Sequence, residues 1–180
     1  MKLLDLRILL VSIILVYCLP EAHGQSSQID GILSHFSGYH VLTLRERDPE
    51  TRAFIVRHFP KDNPSIVHAD FDGDGQQDCA ILLKSNKSGT TKLVFLLCPA
   101  GNHCKSFYTV DVTSDFADIY IRPVPIGSRV SQTDAIDTLN PPAPLRLRAI
   151  GIQVTYFEKA KVIYYWNRKR KRIETIQTED

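Results

Sequence analysis

Four aspartates, Asp70, Asp72, Asp74 and Asp78, stand at positions 1, 3, 5 and 9 of the segment Asp70-Phe71-Asp72-Gly73-Asp74-Gly75-Gln76-Gln77-Asp78. Carboxylates at alternating positions of a tight turn converge on one centre. Without a cation they would repel one another, raise each other's pKa and open the loop. Hard oxygen donors in this number suit Ca2+, which takes roughly 6–8 oxygens at roughly 2.3–2.6 Å in a forgiving shell. Magnesium demands stricter octahedral geometry and keeps its waters, so it fits less well. The expected ligands are the side chains of Asp70, Asp72 and Asp74, the main-chain oxygen of Gln76, and Asp78 directly or through water. Gly73 and Gly75 relieve the backbone where it must fold sharply.

The loop departs from an EF-hand. Position 12 is Ile81, where that motif places a bidentate Glu, and a strand-like run follows in place of a helix. Ala69 through Leu82 instead resembles the calcium loop and following strand of FG-GAP or VCBS-type repeats, also found in integrin-like propellers, with the pattern D-x-D-x-D-G-x-x-D. That resemblance implies a calcium loop joining two strands, with Asp70, Asp72, Asp74, Gln76 and Asp78 as ligands. It covers about 14 residues. A propeller needs several blades, and this sequence holds one such loop with no internal repeat, so the propeller fold does not carry over. More loosely, the chain is similar to small exported bacterial proteins of unknown role with one such loop and a closing Tyr-Tyr-Trp strand.

Other residues invite a chemical reading. Arg168-Lys169-Arg170-Lys171-Arg172 could contact a polyanion, although a solvated hairpin turn explains it as well. Tyr164, Tyr165 and Trp166 could stack on a ligand, but an alternating strand more often packs such residues in a core. The histidines His40, His58, His68 and His103 are scattered. Cys79 opens an apolar strand and reads as an inert thiol. Glu158-Lys159 reads as a turn. No residue set here defines an enzyme. A secreted hydrolase or hydrolase inhibitor, with the loop purely structural, is the alternative to a calcium-stabilised binding or structural module.

The elements that would position the loop follow from hydrophobic pattern. Lys2 and Arg7, the apolar run 9–19, Pro20 and the small residues Ala22 and Gly24 predict a secretory signal peptide over 1–24. Tyr17 before Cys18 argues against lipidation. Residues 25–180 are then one exported domain, secreted or periplasmic, expected to be monomeric, with no later run long enough to span a membrane. The chain carries 22 Lys+Arg against 20 Asp+Glu. Removing the signal takes two of each sign, and the near-neutral balance argues against a dedicated nucleic-acid binder while leaving a protein or glycan partner open.

Export favours a disulfide among Cys79, Cys98 and Cys104. Cys98–Cys104 across Pro99-Ala100-Gly101-Asn102-His103 is the favoured pair, and Cys79–Cys98 across a hairpin is the competitor. Zinc lacks a fourth ligand.

Ile29, Ile32, Leu33 and Phe36 predict a helix over 27–37, N-capped by Ser27 and stopped at Gly38. Runs 39–44 and 53–56 read as strands, with 45–52 as the turn between them. Segments 79–84 and 92–97 read as a central hairpin covered on both faces, with 85–89 as its turn. Further strands are expected near 107–112, 119–121, 150–156, 162–166 and 172–176. Residues 123–146, rich in Pro, Ser, Thr and Asp, read as a long surface loop. The fold class is α+β: a mainly antiparallel sheet with one short N-terminal helix.

Overall fold

Beyond residue 36 the described residues form two larger antiparallel sheets and one two-stranded pair. The computed structural model describes residues 22–98, 106–112, 118–132 and 143–179. The chain falls into two units, Met1–His35 and Phe36–Asp180. In the first unit, helix α1 spans Ala22–His35. It begins before Ser27, so Ser27 lies inside the helix instead of capping it, and Phe36 lies beyond its end. Along its second half Ile32 is buried while Asp30, Gly31, Ser34 and His35 are exposed, as an amphipathic stripe requires. The first residues of the expected signal peptide, 1–21, lie outside the described residues. Among the described residues no helix is long and apolar enough to cross a membrane.

In the second unit the first sheet runs β1 (Tyr39–Val41), β3 (Asp78–Ser85), β4 (Thr91–Leu97) and β5 (Ser106–Asp111), with β2 (Ile66–Ala69) also paired to β3. The second sheet has the order β11 (Arg172–Glu179), β10 (Ala160–Asn167), β9 (Gly151–Tyr156) and β6 (Ile119–Val124). Every pairing is antiparallel. Ala80, Leu82, Leu93, Phe95 and Leu97 from the first sheet join Ile119, Ile121, Ile152, Val154 and Tyr164 from the second in one buried cluster. Each Leu, Ile, Val or Phe among them contributes about 1.5–3 kcal/mol by leaving water. The alternate residues of β3, Cys79, Ile81 and Leu83, are buried too. This is why the central hairpin reads as continuously apolar rather than alternating.

Three expectations need correction. Residues 45–56 do not make a turn and a strand: a 3-10 turn at Leu44–Glu46 leads to a second helix, α2, over Pro49–His58. Asp48 caps it, its carboxylate accepting from Glu50 N at 2.9 Å and Thr51 N at 3.0 Å, and Pro49 occupies the first helical position. Thr51 and Ile55, four apart, form its buried side. Local capping outweighs the β-branched and aromatic run that suggested a strand.

The second correction concerns residues 123–146. β6 continues to Val124, and the short strands β7 (Arg129–Val130) and β8 (Leu145–Arg146) pair with each other. Residues 133–142 lie outside the described residues.

The third concerns Cys79. It stands opposite Leu96 in the β3–β4 register, not Cys98, and it is a free, buried thiol. The competing Cys79–Cys98 pair is therefore not formed. Cys98 is itself disulfide-bonded, and Cys104 lies outside the described residues.

Candidate metal centre

The acidic loop is the connection between β2 and β3. Ala69 and Asp78 are partners in that antiparallel pair, so residues 70–77 close a hairpin and both ends are clamped by the sheet. Phe71 turns inward. It is buried, and its ring meets Phe95 edge-on at 5.7 Å, anchoring the loop to the core between two acidic positions. Gly73 and Gly75 have φ of +78° and +87°, the left-handed conformation that glycine adopts without cost.

Backbone amides shape the loop around its carboxylates. Asp70 Oδ1 accepts from Gly73 N at 2.6 Å and Asp74 N at 3.2 Å, and its Oδ2 accepts from Gly75 N at 2.9 Å. Asp72 Oδ1 accepts from Asp74 N, and Asp74 Oδ1 from Gln76 N. Asp78 is 1% exposed and binds at both oxygens: Oδ2 takes the amide of Phe71 and Oδ1 that of Cys98, each at 2.8 Å. Asp78 thus staples the start of the loop to the end of β4.

Three carboxylates meet. Asp70, Asp72 and Asp78 each bring an oxygen to within 4.8 Å of the others. Asp74 lies outside this group. Burial, followed by repulsion from Asp72 and Asp74, pushes Asp78 up to about 6 against the pull of its two amide bonds. Burial and the charges of Asp74 and Asp70 also raise Asp72. Three crowded carboxyls, two of them resisting ionisation, form a donor set of the kind a divalent cation relieves. Asp70 Oδ1 already accepts two amides, whereas Asp70 Oδ2, Asp72 Oδ1 and both oxygens of Asp78 accept one each and retain a lone-pair site.

The basic run is not one surface. Arg170 and Arg172 both pair with Glu174, at 2.8 and 3.1 Å. Asn167 donates to the same carboxylate at 2.6 Å, and these partners hold Glu174 down to about 2. Lys171 sits at φ +50° in the turn, where Tyr108 Oη donates to its carbonyl. Arg168 Nη2 reaches instead to Gly73 O, 3.3 Å away in the acidic loop. Tyr164 packs in the core against Phe95, and the half-buried Trp166 meets Tyr108 edge-on at 5.7 Å.

Burial and the neighbouring Asp78 push the Cys79 thiol up to about 12, so it stays protonated and inert. Burial lowers the pKa of His68.

Two arrangements were missed in the sequence. Arg47 is buried, and its guanidinium donates to the carbonyls of Ile119, Thr43 and Pro64 and to Ser65 Oγ. His40 stands between Glu46 and Asn86, with Lys84 on the same Glu46 oxygen. Neither leaves a spacing signal, because the partners meet only through strand pairing and the 3-10 turn. Comparison with known proteins finds no matching family model, no matching curated protein and no matching solved structure.

Proposed function

We propose that this chain is an exported calcium-binding module in which the ion is structural, fixing the β2–β3 connection of a two-sheet domain that serves a protein or glycan partner. The observation that carries this reading is the convergence of Asp70, Asp72 and Asp78 oxygens within 4.8 Å, on a loop clamped by paired strands. The left-handed glycines at 73 and 75 let the loop turn tightly around these carboxylates. Asp70, Asp72 and Asp78 would supply side-chain oxygens, with Asp74 and the Gln76 carbonyl completing the shell. A disulfide between Cys98 and Cys104 would cross-link the chain just after β4.

Nothing in the described cavities favours the hydrolase reading. Those lined by residues 41–44 and 61–65, by Phe54, Tyr120 and 155–161, and by 145–149 and 165–169 contain no histidine. Binding to the folded state alone stabilises by mass action, so thermal unfolding in millimolar calcium and in chelator tests the proposal. The midpoint rises with calcium in the wild type, and the rise disappears in the Asp72→Ala/Asp74→Ala double variant. An unchanged wild-type midpoint overturns the reading.

A further inference from the structure

The four cations that do not pair with Glu174 point to a second site. Arg168 and Lys169, at the end of β10, line one groove of about 240 Å3 with Arg146 and Arg148, which follow on β8 and its extension. Tyr165 and Trp166 line the same groove. Residues 146 and 148 are exposed while Leu147 between them and Ala149 after them are buried, so both arginines lie on the outer side of this segment. Among the described residues Arg146, Arg148 and Lys169 have no carboxylate partner, and Arg168 meets only the Gly73 carbonyl. Arg129 stands directly opposite Arg146 in the β7–β8 pair. Like charges across a strand pair are unfavourable unless an anion lies between or beside them. The nearby carboxylate, Glu174, is already saturated by Arg170, Arg172, Asn167 and Tyr165.

We propose that this groove binds an acidic saccharide unit, a sugar ring bearing carboxylate or sulfate, with Tyr165 offering apolar surface and Arg146, Arg148, Arg168 and Lys169 taking its anionic groups. Guanidinium forks bind carboxylate and sulfate bidentately, and aromatic rings cover the apolar face of a sugar. The size selects a short ligand. The groove lies below the ~300–1,000 Å3 of pockets for drug-sized molecules. The Arg168–Gly73 hydrogen bond sets the loop of Asp70, Asp72 and Asp74 beside it. A continuous phosphate chain leaving the groove on that side would run into those carboxylates. The net charge of +2 gives little general attraction to nucleic acid.

Trp166 is the single tryptophan of the chain and adjoins Tyr165 at the groove, so its fluorescence senses a change there. The full exported chain is titrated in calcium buffer with a heparin-derived disaccharide, with maltose, and with a short oligothymidylate. The expected result is a saturable change with the acidic disaccharide and none with maltose. Binding weakens about tenfold in Arg148→Gln and again in Lys169→Gln, as for loss of one charged hydrogen-bonding group. Arg170→Gln, whose side chain is committed to Glu174, binds as the wild type does. Thermal unfolding establishes that each variant is folded. The proposal is overturned by absence of a saturable change, by equal binding of maltose, by tighter binding of the oligothymidylate, or by an Arg170→Gln loss equal to that of Arg148→Gln.

Discussion

The guanidinium of Arg168 donates from Nη2 to the carbonyl oxygen of Gly73 across 3.3 Å, joining the β10–β11 turn to the acidic loop of the other sheet. The contact depends on glycine twice. Residue 73 has φ of +78°, and a Cβ built there would lie 1.8 Å from the same Nη2. Gly73→Ala is therefore expected to displace Arg168 and to add the left-handed backbone cost of about 1–2 kcal/mol. Chemical denaturation in chelator reads the total. Repeating the substitution on an Arg168→Ala background removes the clash and leaves the backbone part. If Gly73→Ala matches the wild type in both backgrounds, the loop does not hold this conformation.

Asp72 and Asp78 share the proposed ion but do different structural work. Asp78 satisfies two amides from the buried interior, those of Phe71 and Cys98. Asp78→Ala leaves both unpaired, at about 1–3 kcal/mol each, and it should destabilise the protein even in chelator. Asp72 accepts from one amide in its own exposed turn. Asp72→Ala should be close to neutral in chelator while losing the calcium-dependent rise. Denaturation midpoints of the two variants, with and without calcium, separate the roles. Equal losses in chelator would contradict the division.

How much of this was legible in the sequence depended on where the partners lie along the chain. The loop was readable because its donors fall within nine consecutive residues and the glycines mark its bends. The central hairpin was readable because burial on both faces leaves an unbroken apolar run in β3. The groove escaped because its lining is made by pairing distant segments. Arg146 and Arg148 meet Arg168 and Lys169 only in the folded chain, while Glu174 neutralises Arg170 and Arg172, two of the five residues of the basic run. Phe71, between two aspartates, anchors the loop in the core, a role that its place in the acidic run does not announce.

The segment 48–58 misled for a different reason. Ala53-Phe54-Ile55-Val56 has strand composition, yet Asp48-Pro49-Glu50 is a helix start whose cap decides the outcome. Asp48→Ala removes the acceptor for the amides of Glu50 and Thr51 and should cost about 1 kcal/mol. Asp48→Asn, which keeps a side-chain oxygen, should recover most of that loss. Denaturant midpoints of the two variants test it. An Asp48→Ala midpoint equal to that of Asp48→Asn would mean the cap contributes nothing.

The His40 cluster gives the protein a pH dependence whose sign is fixed by its partners. The ring nitrogens face Glu46 Oε1 at 2.8 Å and Asn86 Oδ1, and both then act as donors in an imidazolium. The hydrogen bond to Glu46 raises His40 above its ordinary 6.5, against burial and the nearby Lys84 charge. A raised folded pKa means that this stabilisation is complete below 6.5 and is lost as pH rises through the folded value. For Glu46, burial pushes its pKa upward, but bonds from Thr43, His40 and Lys84 prevail and hold it at about 2. Its contribution is present above the ordinary 4.5 and is lost as pH falls toward about 2. His68, lowered by burial, acts oppositely to His40: its contribution is present at high pH and is lost as pH falls below its ordinary 6.5. Denaturant midpoints measured in chelator from about pH 5 to about pH 9 should therefore differ between wild type and His40→Gln most at the acid end and converge at the alkaline end. A constant difference across that range would show that His40 acts by packing and not by charge.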